Sequence, residues 1–179
     1  MNAFPVLLGG SMIAAALLGA ASVTHAAQPA KLTACSLIPD GDATEFAMGK
    51  YDRNDDSSTS CRIEVFEGGV FVRYAFLALQ QLPRNASKEP DYAKNIVSQS
   101  SSDTKQDGGK PVKCVIASAT HFACFDVAAP IGSFKPGQRM VKVIAGKGNN
   151  AITLTVFHNK KASLEAATEL AEKIVKRLQ

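Results

Sequence analysis

Residues 61–79, CRIEVFEGGVFVRYAFLAL, contain the clearest structural signal in the chain. Two runs rich in β-branched and aromatic residues flank Gly68-Gly69, a pair that suits a two-residue hairpin turn. This turn sets three pairs on one face, namely Val65 with Val72, Ile63 with Tyr74, and Cys61 with Phe76. On the other face it sets Glu64 opposite Arg73 and Phe66 opposite Phe71. Charge and apolar pairing agree with the turn, so the stretch predicts an antiparallel hairpin with Cys61 on its buried face.

Two further stretches predict hairpins. Residues 139–158, RMVKVIAGKGNNAITLTVFH, are predicted to turn near Gly148-Asn149. That register sets Val141, Val143 and Ala145 opposite Val156, Leu154 and Ile152, with Lys142 facing Thr155. Residues 110–126, KPVKCVIASATHFACFD, predict a third hairpin with a loop at 118–120. Three hairpins indicate about six antiparallel strands.

Helical signals lie at both ends of this β region. Residues 163–179, SLEAATELAEKIVKRLQ, predict a C-terminal amphipathic helix that Ser163 caps. Its apolar stripe consists of Leu164, Ala167, Leu170, Ile174 and Leu178. A short N-terminal helix is predicted to begin near Asp40 or Asp42 and to end at Gly49. The predicted fold is a two-layer α+β domain, in which an antiparallel sheet of about six strands packs with these two helices.

The connections between these elements are polar. Residues 51–60, YDRNDDSSTS, predict a loop. Residues 91–100 predict a further short helix, and the Ser-, Asp- and Gly-rich segment that follows is expected to be mobile.

The first 27 residues contain no Lys, Arg, Asp or Glu. An apolar core from Pro5 to Ala21 is followed by small residues, the pattern of an export signal peptide. We expect residues 1–26 to be a signal peptide and residues 31–179 to form a single domain with no transmembrane segment. An uncleaved membrane anchor is the alternative, but the apolar run falls short of the ~20 residues that span a bilayer.

Four cysteines follow this segment: Cys35, Cys61, Cys114 and Cys124. An even number in an exported chain favours two disulfides over a metal site or a reactive thiol. The predicted hairpin loop sets Cys114 across from Cys124, close enough to bridge, which leaves Cys35 to pair with Cys61. Two other connectivities remain open. Lipid attachment at Cys35, suggested by LTAC at 32–35, is disfavoured because Lys31 stands where an apolar segment should end.

Metal-binding patterns are weak. His121 and His158 are expected to be independent surface or edge residues, because no further ligands have suitable spacing. Asp52, Asn54 and Asp56 begin a calcium-loop pattern that lacks the glycine and glutamate it requires. We therefore expect no metal and no cofactor.

Catalytic patterns are equally weak. SDTK at 102–105 lacks the partner motifs of penicillin-binding enzymes. The carboxylates of Asp40, Asp42 and Glu45 lie where helix starts attract acidic residues in any case. We therefore expect no enzymatic activity.

Positive charge is concentrated near the C-terminus. Residues 31–134 carry 11 basic and 13 acidic residues, whereas residues 135–179 carry 9 basic and 3 acidic residues. Six of these basic residues form a candidate anion-binding edge: Lys135, Arg139, Lys142, Lys147, Lys160 and Lys161. A solvated surface is the alternative. Nucleic acid is excluded as a partner by the modest net charge of +4, the absence of Trp and the predicted export.

Two stretches, ACSLIPDGDATEFAMG at 34–49 and SSTSCRIEV at 57–65, resemble a group of small exported bacterial proteins of uncharacterised function. These proteins begin with Cys-x-Leu-Leu, continue with a short acidic helix that ends in Gly, and have a second Cys that opens a strand. The matching residues are Cys35, Leu37, Ile38, Gly49 and Cys61. The resemblance implies a compact α+β sandwich with a helix-to-strand disulfide. It implies no catalytic residues, and Cys114 and Cys124 are not part of the pattern.

These observations favour a non-enzymatic periplasmic or secreted binding or accessory protein. Its partner would be another envelope protein or an anionic envelope component, bound at a loop rim or at the basic C-terminal hairpin. A periplasmic inhibitor or immunity protein against a cell-wall-degrading toxin is the alternative. A small hydrolase is disfavoured because no site for it is evident.

The disulfide assignment has a direct test. A non-reduced proteolytic digest should contain one peptide pair joined through Cys35 and Cys61 and another joined through Cys114 and Cys124. Mass spectrometry identifies both pairs. Free thiols or crossed pairs would contradict the assignment.

Overall fold

The computed structural model describes residues 32–82 and 91–178, apart from the side chain of Asp56. The predicted signal peptide, residues 1–26, lies outside the described residues. A 3-10 turn at Cys35–Leu37 precedes the first helix. The described part contains three α-helices and seven strands, in the order α1 Asp40–Ala47, β1 Asp52–Ser57, β2 Ser60–Glu67, β3 Val70–Gln81, α2 Tyr92–Gln106, β4 Lys110–Val112, β5 His121–Ala128, β6 Arg139–Lys147, β7 Asn150–His158 and α3 Ser163–Arg177. None of these helices is long and apolar enough to cross a bilayer.

The strands form one open sheet in the order β1-β2-β3-β7-β6-β5-β4, with antiparallel neighbours throughout. The predicted α+β class is therefore confirmed, with seven strands rather than six. The additional strand is β1, where the sequence predicts a loop. It pairs with β2 from Asp52↔Glu64 to Ser57↔Ser60 at the edge of the sheet. Edge strands often carry charges that discourage pairing with other chains, so β1 has no apolar alternation to reveal it.

The β2–β3 hairpin turns at the predicted glycines, but most of its register differs from the prediction by one residue. The pairs next to the turn, Phe66↔Phe71 and Glu67↔Val70, are as predicted. A β-bulge then leaves Val72 as an additional residue on β3. Beyond it, Val65 lies opposite Arg73, Ile63 opposite Ala75 and Cys61 opposite Leu77. Arg73 therefore does not face Glu64, and it shares the core face of β3 with Ala75 and Leu77.

The β6–β7 hairpin has the predicted register. Val141, Val143 and Ala145 lie opposite Val156, Leu154 and Ile152, and Lys142 lies opposite Thr155. Regular alternation on both strands was sufficient to define this pairing.

Both predicted disulfides are present, Cys35–Cys61 and Cys114–Cys124. The prediction that Cys114 lies directly across a hairpin from Cys124 is wrong. Val112 occupies that position, and Cys114 lies in the loop after β4. This loop is held against α3, because the N–H and hydroxyl of Ser118 donate hydrogen bonds to the Glu172 carboxylate over 3.1 and 2.5 Å.

One face of the sheet is buried beneath α1 and α3. The predicted stripe of α3 lies on this face: Ala167, Leu170, Ile174 and Leu178 are buried and Leu164 is half-buried. The sheet contributes the inward residues of its central strands, among them Ile63, Leu77, Val143, Ile152 and Leu154. An apolar stripe at helical spacing thus explains why α3 docks on the sheet.

The other face is partly covered by α2, so part of the molecule has helices on both sides of the sheet. Val97 of α2 packs with Phe125 and Ile144. The helix extends beyond the predicted residues 91–100, and the segment expected to be mobile forms its second half. Burial of Thr104 explains the difference, since its hydroxyl is satisfied by the Ser100 carbonyl at 2.7 Å.

Gly146 lets α2 approach β6 closely. A Cβ at this position would lie 2.7 Å from the Cβ of Ala93. Gly146→Ala should therefore lower the free energy of unfolding by about 1–3 kcal/mol, measured by urea denaturation. Gly41→Ala is the control, because nothing lies within 4 Å of a Cβ there and alanine favours a helix. Equal stability of Gly146→Ala and the native protein would show that α2 does not pack this closely.

Candidate functional site

Four connections meet at one end of the sheet. The pairs Glu67↔Val70, Ala128↔Arg139 and Arg73↔His158 set the ends of β2, β5 and β7 beside the starts of β3 and β6. We name this end the rim and define it as residues 48–51, 66–71, 129–138 and 159–162. Its segments are far apart in the sequence and are brought together by the strand order.

The end of α1 is joined to this part of the sheet by two buried side chains. The Nη1 of Arg73 donates a hydrogen bond to the carbonyl of Ala47 at 2.9 Å. The Nε2 of His158 lies 3.1 Å from the carbonyl of Phe46. The last carbonyls of a helix have no partner within it and carry partial negative charge, so a guanidinium and an imidazole N–H both suit this position.

His158 also binds the connection between β7 and α3. Its Nδ1 accepts hydrogen bonds from the backbone N–H groups of Lys160, at 3.1 Å, and Lys161, at 2.8 Å. Because Nδ1 accepts, the proton of the neutral ring lies on Nε2 and is donated to the Phe46 carbonyl. Burial is the largest cause that lowers the pKa of His158, and the charges of Arg73 and Lys161 lower it further, while the hydrogen bond to Phe46 opposes them.

Two residues here differ from their predicted roles. His158 is 4% exposed rather than a surface or edge residue, because α1 covers it and Phe46 packs edge-to-face on its ring at 5.5 Å. Ser163 does not cap α3; its hydroxyl accepts the backbone N–H of His158 at 3.1 Å, and Ala162 is the N-cap residue.

Met48 follows α1 and is exposed on the rim. Its backbone is left-handed, with φ of 53°, and the residue is 58% exposed. The N–H of Met48 donates to the Glu45 carbonyl at 3.2 Å, and that of Gly49 donates to Thr44 at 3.3 Å. A left-handed residue is a common helix end, but glycine usually occupies it.

The 129–138 segment of the rim is anchored by an aromatic cluster. Phe134 packs on Phe71, Tyr74 and Phe157 with ring centroids 4.8 to 5.8 Å apart. The N–H of Phe71 also donates to the carbonyl of Ser133 at 2.7 Å. These contacts leave Ile131 fully exposed.

An open groove of about 700 Å³ lies beside residues 48–51. It forms where β1 begins to pair with β2, at Asp52↔Glu64, next to the bulge in the β2–β3 hairpin. Its lining consists of Thr44, Gly49, Lys50, Tyr51, Asp52, Glu64, Val65 and Phe66. Phe66 is 43% exposed and stacks on Phe71 at 4.2 Å. Glu64 is held by Asn54, whose Nδ2 is 2.9 Å from a carboxylate oxygen.

A second cleft, between α1 and α3, holds about 20 Å³, room for roughly one water molecule. The three carboxylates that the sequence singles out all have cationic partners, and two of them, Asp42 and Glu45, line this cleft. Asp40 pairs with Arg53 at 2.6 Å, Glu45 with Lys173 at 2.5 Å and Asp42 with Arg177 at 2.5 Å. These ion pairs give all three residues structural contacts.

The structure brings four of the six predicted basic residues to the rim or next to it. Lys135 and Lys160 are exposed there and make no ion pair within the described residues. Arg139 pairs with Asp126 at 2.9 Å, and Lys161 pairs with Glu169 at 2.8 Å. Lys142 and Lys147 are not at the rim. Lys142 points toward α2, with Nζ 3.5 Å from Thr104 Oγ1, and Lys147 lies next to the β6–β7 turn at the opposite end.

The remaining candidates do not converge. His121 pairs with Gly146 at the end of the sheet opposite to His158. Asp52 and Asn54 belong to β1, so the backbone is extended where a calcium loop would curve. The side chain of Asp56 lies outside the described residues. Ser102 and Lys105 are exposed on α2.

No protein-family model matches the sequence, and no curated protein matches it. A search of solved structures finds a protein of Bacteroides thetaiotaomicron VPI-5482, determined at 1.50 Å resolution, with 18% sequence identity and a TM-score of 0.41. The alignment covers 68% of this chain and 40% of that chain, so this chain spans less than half of that protein's length.

Met48→Gly tests the strain at the end of α1. Glycine adopts the left-handed conformation without the steric cost that methionine has, so the free energy of unfolding should rise by about 0.5–1 kcal/mol. Urea denaturation measures the change. Lys50→Gly is the control, because glycine there gains no such relief. A fall in stability on Met48→Gly would mean that the methionine side chain contributes packing that outweighs its strain.

Proposed function

We propose that this protein is a non-enzymatic binding or accessory protein of the bacterial envelope and that it contacts its partner through the rim. The position of the exposed apolar side chains carries the proposal. Five large ones are exposed among the described residues, and three of them lie on the rim: Met48, Phe66 and Ile131. Exposed apolar side chains grouped in this way are typical of interaction surfaces.

Charged side chains of both signs are exposed in the same segments or next to them. Lys50, Lys135 and Lys160 are exposed on the rim, and Asp52, Glu67 and Glu165 are exposed on it or beside it. Exposed apolar side chains together with charges of both signs are typical of protein interfaces. This arrangement favours another envelope protein as the partner over an anionic component such as lipid headgroups.

The cysteine chemistry supports a location in the periplasm or outside the cell. All four cysteines of the described residues are in disulfides, which persist in oxidising compartments. The Cys35–Cys61 bond ties the turn before α1 to β2, so the helix that precedes Met48 is attached to the sheet at its start as well as its end.

The groove beside Phe66 favours a second candidate, an inhibitor or immunity protein against a cell-wall-degrading toxin. An open groove of about 700 Å³ can accept a protruding loop of an enzyme. The two candidates use the same rim. They differ in whether the partner loses catalytic activity when it is bound.

Site-specific photo-crosslinking tests the rim in the exporting cell. A crosslinking amino acid at Ile131, which is fully exposed, should form an adduct with a partner protein that mass spectrometry identifies. The matched control is the same amino acid at Phe122, which is 40% exposed at the opposite end of the sheet. Adducts from position 122 alone, or from neither position, would contradict the proposal. A lipid or polysaccharide adduct from position 131 would replace the protein partner by an envelope component.

A further inference from the structure

We propose that His158 is an acid-sensitive latch of the rim. Protonation of its ring would release the 159–162 connection, and would thereby change the surface that the partner meets. The inference concerns regulation of the rim and rests on the function proposed for it.

The hydrogen bonds made by the two ring nitrogens are compatible only with the neutral imidazole. Nε2 donates to the Phe46 carbonyl, and Nδ1 accepts from the N–H groups of Lys160 and Lys161. A proton on Nδ1 would point a donor at two other donors and remove both of these hydrogen bonds. The two backbone amides would then be left without their acceptor, so the charged ring cannot keep its present position without loss of the connection.

The charges around the ring disfavour a new positive charge, because Arg73 and Lys161 each lower the pKa of His158 by more than Glu169 raises it. Arg73 lies opposite His158 on β3, is 7% exposed, and makes no ion pair within the described residues. Its Nε has no hydrogen-bond partner there. The charged groups of α1, α3 and the connection that line the adjoining cleft are Asp42, Glu45, Glu169, Lys161 and Lys173. Each of the three carboxylates already has a cationic partner, at 2.5 to 2.8 Å. A protonated His158 would therefore add its charge beside an arginine that has no counterion among the described residues.

The structural change that follows protonation of His158 should remain local. The two amides that would lose their acceptor lie in the rim itself, and the protonated ring still has its Nε2–H to donate to the Phe46 carbonyl. Arg73 would still bind the carbonyl of Ala47, and the Cys35–Cys61 disulfide would still hold the chain before α1. The core beneath α3 contains none of the groups that lose a bond.

The direction of the pH effect follows from the lowered pKa. Below 6.5, the ordinary value, an exposed histidine binds a proton that the latched ring does not. The state in which His158 binds the 159–162 connection is therefore fully favoured above pH 6.5. The free energy that favours this state decreases as the pH falls. For one proton, the equilibrium constant for opening should rise about tenfold for each pH unit below 6.5, until the pKa of the latched ring is reached.

An NMR titration of the full chain, as the exporting cell processes it, tests the latch directly. The imidazole ¹⁵N shifts above pH 6.5 should show the tautomer protonated on Nε2. As the pH falls further, the amide signals of Lys160 and Lys161 should shift together with the His158 ring, while those of Val143 and Leu154 stay in place. A tautomer protonated on Nδ1, protonation that leaves the rim amides unmoved, or simultaneous loss of all signals would each overturn the proposal.

The crosslink at Ile131 links the latch to binding. Its yield should change below pH 6.5 in the native protein and in the control His121→Gln, and should become independent of pH in His158→Gln. A yield that does not depend on pH in the native protein would refute regulation of binding by the latch and leave the rim as the binding surface. No crosslink at any pH would refute the rim, and the NMR titration would still decide the latch. That titration uses the native protein, so the test does not depend on the folding of His158→Gln.

Discussion

The carbonyl groups at the end of α1 must find partners outside the helix, and two buried side chains of the sheet supply them. Arg73 on β3 binds Ala47, and His158 on β7 binds Phe46. A helix of eight residues is too short to be stable alone, so these contacts and the Cys35–Cys61 disulfide before it keep α1 in place. The position of Met48, and of the groove wall that follows it, depends on the same two hydrogen bonds.

The two long hairpins show what the sequence can and cannot predict. The register of β6–β7 follows from alternation on both strands and a two-residue turn, and nothing outside the hairpin alters it. β2–β3 has the same local signals, but its bulge places Val72 outside the ladder. The carbonyl of Val72 accepts from Asn159, and the N–H of the preceding Phe71 donates to Ser133. Both partners come from distant segments, so the hairpin's own residues could not reveal the shift that moves Arg73 to the core face.

The rim could not be derived from the sequence for a related reason. Met48, Phe66 and Ile131 are apolar residues in three separate segments, and in the sequence they look the same as core residues. Counting charge along the chain does draw attention to residues 135–179, but Asp126 and Glu169 neutralise two of the candidate cations there. Lys50 also lies on the rim, although it belongs to residues 31–134, which carry more acidic than basic residues. The one local signal was at Ile131, an isoleucine between Pro130 and Gly132, where a turn rather than a strand is expected.

A buried histidine is not required at a position where the side chain only joins two backbone segments by hydrogen bonds. A glutamine side chain also has one acceptor and a donor, and it keeps both at any pH. An imidazole differs in that its acceptor disappears when it is protonated. The contacts that stay when this acceptor is lost are the hydrogen bond of His158 Nε2 to Phe46, that of Arg73 to Ala47 and the two disulfides, and they hold α1 and the core. In the proposed response, protonation changes the rim and leaves the core and α1 intact. A reversible response to acid requires that the rest of the fold stay in place in this way.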